Sequence, residues 1–142
     1  MSEEVGAREK LLLRVMAFAA ADGIAGRSLR DIALGAGSSH RMLLYHFGSR
    51  EGLLAAIVAA IEAQQRAVLA SLADGAGTPQ EIMLALWEQV SRAELRPFVR
   101  LFFEVFGLVA QGAPGTEGLR ETLTAPWPVS YTHLTLPTTP YV

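Results

Sequence analysis

The chain has 142 residues, 51% of them hydrophobic, with no cysteine and a formal net charge of −2; its mean hydropathy is +0.29. That is enough apolar material for one packed domain, or for a small domain with part of another. The lack of cysteine excludes disulfide and thiolate chemistry and fits a cytoplasmic protein, and three scattered histidines argue against a metal site.

No run of about 18 apolar residues free of charge suggests a membrane span. Residues 11–21 are apolar but contain Arg14 and follow Glu3, Glu4 and Glu9, the wrong flank for a secretory signal. The charge is unevenly spread. Up to Arg50 there are seven basic and five acidic residues, a balance of +2; the remainder has five basic and nine acidic, a balance of −4. The N-terminal third is therefore the better place for an anionic partner.

Leu12, Val15, Met16 and Ala19 recur at helical spacing and predict a first helix over residues 7–21, stopped by Asp22-Gly23. Ser28-Leu29-Arg30-Asp31 reads as a capping box. It opens a short second helix with Leu29, Ile32 and Ala33 inward. Gly35-Ala36-Gly37 is a tight turn, after which Ser38 or Ser39 caps a third helix ending near Phe47-Gly48. Ser49 caps a fourth. Its stripe of Leu53, Leu54, Ile57, Val58, Ile61 and Leu69 reaches to about Leu72.

Residues 74–77 form a loop, and Thr78-Pro79-Gln80-Glu81 starts a fifth helix with a capping box and proline at its first position. That helix carries Ile82, Leu86, Trp87 and Val90 to about Arg92. Pro97 starts a sixth, apolar almost all round between Leu101 and Val109 and therefore expected to be central and buried. Gly112, Pro114 and Gly115 end it, and Thr116 caps a short seventh over residues 117–123. Glu88, Glu94 and Glu104 read as solvated. No repeat and no strand precede Pro126, so the fold class is all-α.

The second and third helices have about two turns each and would not be stable alone. Joined by a glycine turn, they have the layout of a helix-turn-helix, whose second helix enters the DNA major groove by its N-terminal end. Ser38 and Ser39 are small and allow close approach to phosphate. His40 and Arg41 stand where base edges would be, and arginine on guanine is the commonest specific contact. Leu43 and Phe47, four apart, anchor the helix. Tyr45 and His46 are placed to bond phosphates, and Arg50 lies in the first turn of the fourth helix, where free N–H groups also favour an anion. Plainer readings stand beside these. Arg30 could pair with Asp31, Tyr45 could pack, and His46 could bond a helix-end carbonyl.

The matches extend from Gly23 through Ser28-Leu29-Arg30-Asp31-Ile32-Ala33, Ala36-Gly37 and Leu43 to Tyr45-His46-Phe47-Gly48-Ser49-Arg50-Glu51 and Leu53-Leu54. As a set they resemble the DNA-binding domain of the TetR family of bacterial transcriptional regulators, over residues 5–66. The resemblance implies a homodimeric, ligand-responsive repressor. Two heads bind a palindromic double-stranded operator, and an all-helical C-terminal domain, here residues 67–127, binds a small-molecule effector. It places Arg30, Ser39, His40 and Arg41 at base-facing positions and Ser28, Tyr45, His46 and Arg50 at phosphate positions. Ser38, Arg41, Met42 and Leu44 depart from the residues usual in the family. Two customary phosphate contacts are lost at Met42 and Leu44.

Met83, Trp87, Phe102, Phe103 and Phe106 are candidates for the lining of an effector pocket, although aromatics at helical spacing also read as core. Nothing suggests catalysis. There is no Ser-His-Asp arrangement, H-E-x-x-H, phosphate-binding loop or dinucleotide loop, and no cofactor is expected. The alternative to a DNA-binding regulator is a helical module that binds a small ligand or a partner without binding DNA.

After Pro126 the helical period disappears. Residues 129–138, VSYTHLTLPT, resemble the translation of a transposase adapter used in preparing DNA libraries. On this reading residues 128–142 are a non-native tail and the chain is a truncated form of a longer protein. The truncated chain is then expected to lack the helices that pair two subunits, and to leave part of the sixth helix exposed as an apolar patch.

Overall fold

The computed structural model describes residues 2–75 and 77–124. The expected tail at 128–142, and the end of the expected regulatory half from residue 125, lie outside the described residues. Seven α-helices follow in order: α1 (Ser2–Asp22), α2 (Leu29–Gly35), α3 (His40–Phe47), α4 (Arg50–Asp74), α5 (Pro79–Val90), α6 (Arg96–Ala110) and α7 (Leu119–Thr124). A single 3-10 turn, Ala93–Leu95, leads into α6. The described residues are all-α.

The caps lie where local chemistry puts them. Ser28 and Thr78 both close full capping boxes, with Asp31 and Glu81 respectively. The Ser49 hydroxyl accepts from the Gly52 N–H at 2.9 Å. Helix α1 starts at Ser2 rather than at residue 7. Glu3 and Glu4 lie in its first turn, where carboxylates favour the positive end of the helix dipole.

One core joins α1, α2, α3, α4 and α6. Val15, Ile24, Ile32, Leu53, Leu54, Ile57 and Leu101 are completely excluded from solvent. By length and composition Arg50–Leu72 could cross a membrane, but its stripe of Leu53, Leu54, Ile57 and Val58 is buried against the other helices.

Helix α6 differs from expectation. Leu101, Val105 and Val109, each four residues apart, form one buried stripe, while Phe103 is 64% and Phe106 45% exposed. Its apolar character extends round the helix, but α1, α4 and α7 cover only one side. Helix α5 packs on α4 and has no fully buried residue. Thr116 also differs: it is buried, and its hydroxyl donates to the Ala113 carbonyl at 2.6 Å. It tightens the α6–α7 connection, and α7 begins at Leu119, whose N–H donates to the Thr116 carbonyl.

The expectation of a solvated Glu104 fails outright. The residue is half-buried, and one carboxylate oxygen accepts from the N–H groups of Ile24 at 2.6 Å and Ala25 at 2.5 Å. Arg100, one turn earlier on α6, donates to the carbonyls of Ala20 and Ala21 at the end of α1. Arg50 donates to the carbonyls of Ile24, Arg27 and Pro114, and Glu51 accepts from the Gly118 N–H. These bonds tie the α1–α2 loop to α6 and the start of α4 to the α6–α7 connection.

Glu104→Ala should leave two N–H groups without their acceptor, one of them part-buried, at a cost of about 1–3 kcal/mol. Urea denaturation should show a lower midpoint at unchanged slope. Glu104→Gln, which keeps a carbonyl acceptor, should recover part of the loss. Equal midpoints for all three proteins would show that the tie contributes nothing.

Candidate nucleic-acid interface

Helices α2 and α3 are joined by a turn whose chemistry is fully accounted for. The Ser38 N–H donates to the Ala33 carbonyl at 2.8 Å, and the Gly37 N–H to Leu34 at 3.1 Å. This is the paired pattern of a Schellman motif, with glycine at the left-handed position; Gly37 has φ +66°. The chain then extends at Ser39, whose hydroxyl accepts from the Met42 N–H at 3.2 Å and caps α3. Gly48, φ +76°, ends α3 with its N–H on the Leu44 carbonyl.

Within α3, Leu43 and Phe47 are buried and fix the helix to the core, as the spacing predicts. Arg41, Met42, Leu44 and Tyr45 are exposed, and His40 is half-exposed. Arg30 is exposed on α2. Asp31 is not its partner: that carboxylate accepts from the Ser28 N–H at 3.0 Å and hydroxyl at 2.7 Å. Among the described residues, neither Arg30 nor Arg41 has an acidic partner.

The residues expected at phosphate have other partners in this structure. The Ser28 hydroxyl both donates to Asp31 and accepts its N–H. Tyr45 donates its hydroxyl to the Glu4 carboxylate at 3.0 Å. That bond, and then the negative charge of Glu4, raise the phenol above its ordinary pKa. His46 is half-exposed; its ring sits edge-on to Tyr45 at 4.9 Å and its carbonyl accepts from Arg8. Arg50 is half-buried and donates to three carbonyls. A phosphate at Arg50 would compete with those bonds.

Sequence reading gave α1 no part in this surface, yet Glu4, Arg8 and Arg14 all reach it. The Arg8 guanidinium lies 5.0 Å from the Phe47 ring centroid, and Arg14 donates to the Gly37 carbonyl at 3.4 Å. The early acidic start of α1 was the signal available, since it lengthens the helix enough to reach Tyr45.

The residues proposed for an effector pocket lie on open faces. Met83 and Trp87 on α5 are 63% and 68% exposed. On α6, Phe102 stacks on Phe106 at 6.2 Å and meets Phe103 edge-on at 5.5 Å. Only Phe102 of these five is packed against the core.

The carboxyl of Asp31 lies below its ordinary pKa, held there first by the Ser28 hydroxyl and then by the Ser28 N–H. A depressed folded-state pKa stabilises the fold above the ordinary carboxylate range, and the contribution is lost as pH falls through the folded value. An NMR titration should show Asp31 titrating below a free aspartate. Ser28→Ala should move it back upward; no movement would mean that the hydroxyl is not the cause.

Residues 16–57, from Met16 in α1 to Ile57 in α4, match the family model for bacterial regulatory proteins of the tetR family. No curated protein and no solved structure matches the chain.

Proposed function

We propose that this chain, whose N-terminal helices are a TetR-family DNA-binding domain, is a sequence-specific repressor that responds to a small molecule. The match over residues 16–57 supports a DNA-binding regulator of transcription. The finer reading rests on one observation: a short helix, α3, is locked by a Schellman turn and a serine cap so that its front residues stand free in solvent.

In this reading His40, Arg41 and Arg30 reach base edges, with Ser39 lining the groove. Arginine forks two hydrogen bonds to guanine, and the exposed, unpaired state of Arg41 leaves that fork available. Ser28, Tyr45, His46 and Arg50 stand toward the backbone. Their internal bonds orient them and would be exchanged, in whole or part, for phosphate contacts. The protein acts in the cytoplasm. It acts as a homodimer that sets two heads about 34–36 Å apart on a palindromic site. The effector binds among α4, α5 and α6, where Met83, Trp87, Phe102, Phe103 and Phe106 supply apolar surface, and it shifts the spacing of the heads through α4.

Selection from a random duplex library followed by mobility shifts tests the reading. Binding should fall steeply with salt, by about 0.9 log units per log unit of salt for each phosphate contacted. Arg41→Ala should weaken the selected site roughly 5- to 150-fold, the 1–3 kcal/mol of one bidentate base contact, while barely changing an unrelated duplex. Absence of any salt-dependent binding would leave the other reading, a helical ligand-binding or interaction module.

A further inference from the structure

An open groove runs between α1 and α3, beside the base-facing front and above the core residue Leu11. It encloses about 590 Å³. On the α1 side it is lined by Ala7, Lys10, Leu11, Leu13 and Arg14; Lys10 and Arg14, four residues apart, share one helix face, and the buried Leu11 forms the floor. The other side presents Ser38, Met42 and His46, again at intervals of four. Arginines pin both ends: Arg14 donates to the Gly37 carbonyl before α3, and Arg8 to the His46 carbonyl near its end. Two exposed hydrogen bonds thus link the two walls, one at each end.

The charge in this groove is one-sided. No acidic residue lines it. Lys10 is exposed and, among the described residues, has no hydrogen bond or ion pair. Arg14 uses one nitrogen on Gly37, leaving most of its five donors free. On the facing flank of α3, Met42 offers neither charge nor donor. The cations beside that flank come from α1.

We propose that this groove is a second phosphate-binding site for duplex DNA, in which Lys10 and Arg14 take backbone oxygens of the strand passing along the Ser38–Met42–His46 flank of α3. The proposal rests on the DNA-binding reading above. A duplex is the occupant that fits. It presents a continuous line of singly charged oxygens, matching two cations one helical turn apart, and it must pass close to α3 whenever that helix is engaged. Contacts of this kind position the protein without reading sequence.

The test uses the full chain with two duplexes, the selected operator and an unrelated sequence of equal length. Lys10→Gln should lower the slope of log K against log salt by about 1 on both, and weaken binding roughly eightfold near 0.1 M salt. Lys10→Arg should restore both values. Lys10→Gln combined with Arg14→Gln should remove about two units of slope; a thermal melt of each variant separates this from loss of the Gly37 bond. Arg92→Ala, which removes a charge from the α5–α6 connection, should leave the slope unchanged. If wild type binds DNA and Lys10→Gln keeps the full slope, the groove is not a phosphate site. If Arg92→Ala lowers the slope equally, the effect is one of net charge and the proposal fails. If wild type binds neither duplex, the DNA-binding reading itself falls.

Discussion

Two backbone N–H groups in the α1–α2 loop, those of Ile24 and Ala25, converge on a single carboxylate oxygen of Glu104. The partners are 80 and 79 residues apart in the chain. A loop N–H that is neither solvated nor bonded is costly, and hydrogen bonds to a charged group are the stronger kind. On top of the shared core, this one side chain therefore pins the loop that leads into the helix-turn-helix to α6. Arg100 reinforces it from the same face of α6 by closing the free carbonyls at the end of α1, a favourable place for a cation. Arg50 holds the same loop from the other side. A displacement of α6 must either break these bonds or carry the loop with it, so the C-terminal helices and the helix-turn-helix are connected by more than the continuous rod of α4.

Helix α1 plays the corresponding part for α3. An eight-residue helix does not hold its own orientation. Leu43 and Phe47 give α3 its depth in the core, but two apolar anchors on one face still permit rolling. Arg14 at the preceding turn and Arg8 at the His46 carbonyl fix the two ends, and Arg8 also covers the Phe47 ring. The direction in which Arg41 points is thus set partly by residues more than twenty positions earlier in the chain.

What could be read in advance follows from this division. The short helices, their caps and the turn between them depend on neighbours within a few residues, so Ser28, Ser39, Ser49, Thr78 and Gly37 announced them. The buried faces of α1, α3 and α4 followed from period alone. The one-sided burial of α6 did not, because period states which residues share a face but not how many faces find a neighbour. Phe103 and Phe106 are as apolar as Leu101 and Val105, yet only the latter pair is buried. Glu104 looked like any solvated glutamate, since its partners are loop amides with no sequence signature. Arg50 and Tyr45 carried a recognisable motif, but that motif is silent about the carbonyls and the Glu4 carboxylate that they also bind.

These internal partners bear on how the surface meets an anion. Asp31 and Glu4 both lie beside residues read as phosphate contacts, and both are bonded to the hydroxyls concerned. A phosphate arriving at Tyr45 would meet the charge of Glu4 and would have to displace it; one arriving at Ser28 would compete with Asp31. Each exchange trades one charge-assisted bond for another, and the net gain is small. Cations without an internal acid face no such exchange. In the N-terminal third, Arg8 and Arg14 donate only to carbonyls, while Arg30, Arg41 and Lys10, one on each of α2, α3 and α1, are exposed and have no internal side-chain partner. Glu4 and Asp31 keep their charge when they accept from these neutral hydroxyls, so the attraction of the N-terminal third for a polyanion rests on these three cations, which are open to solvent.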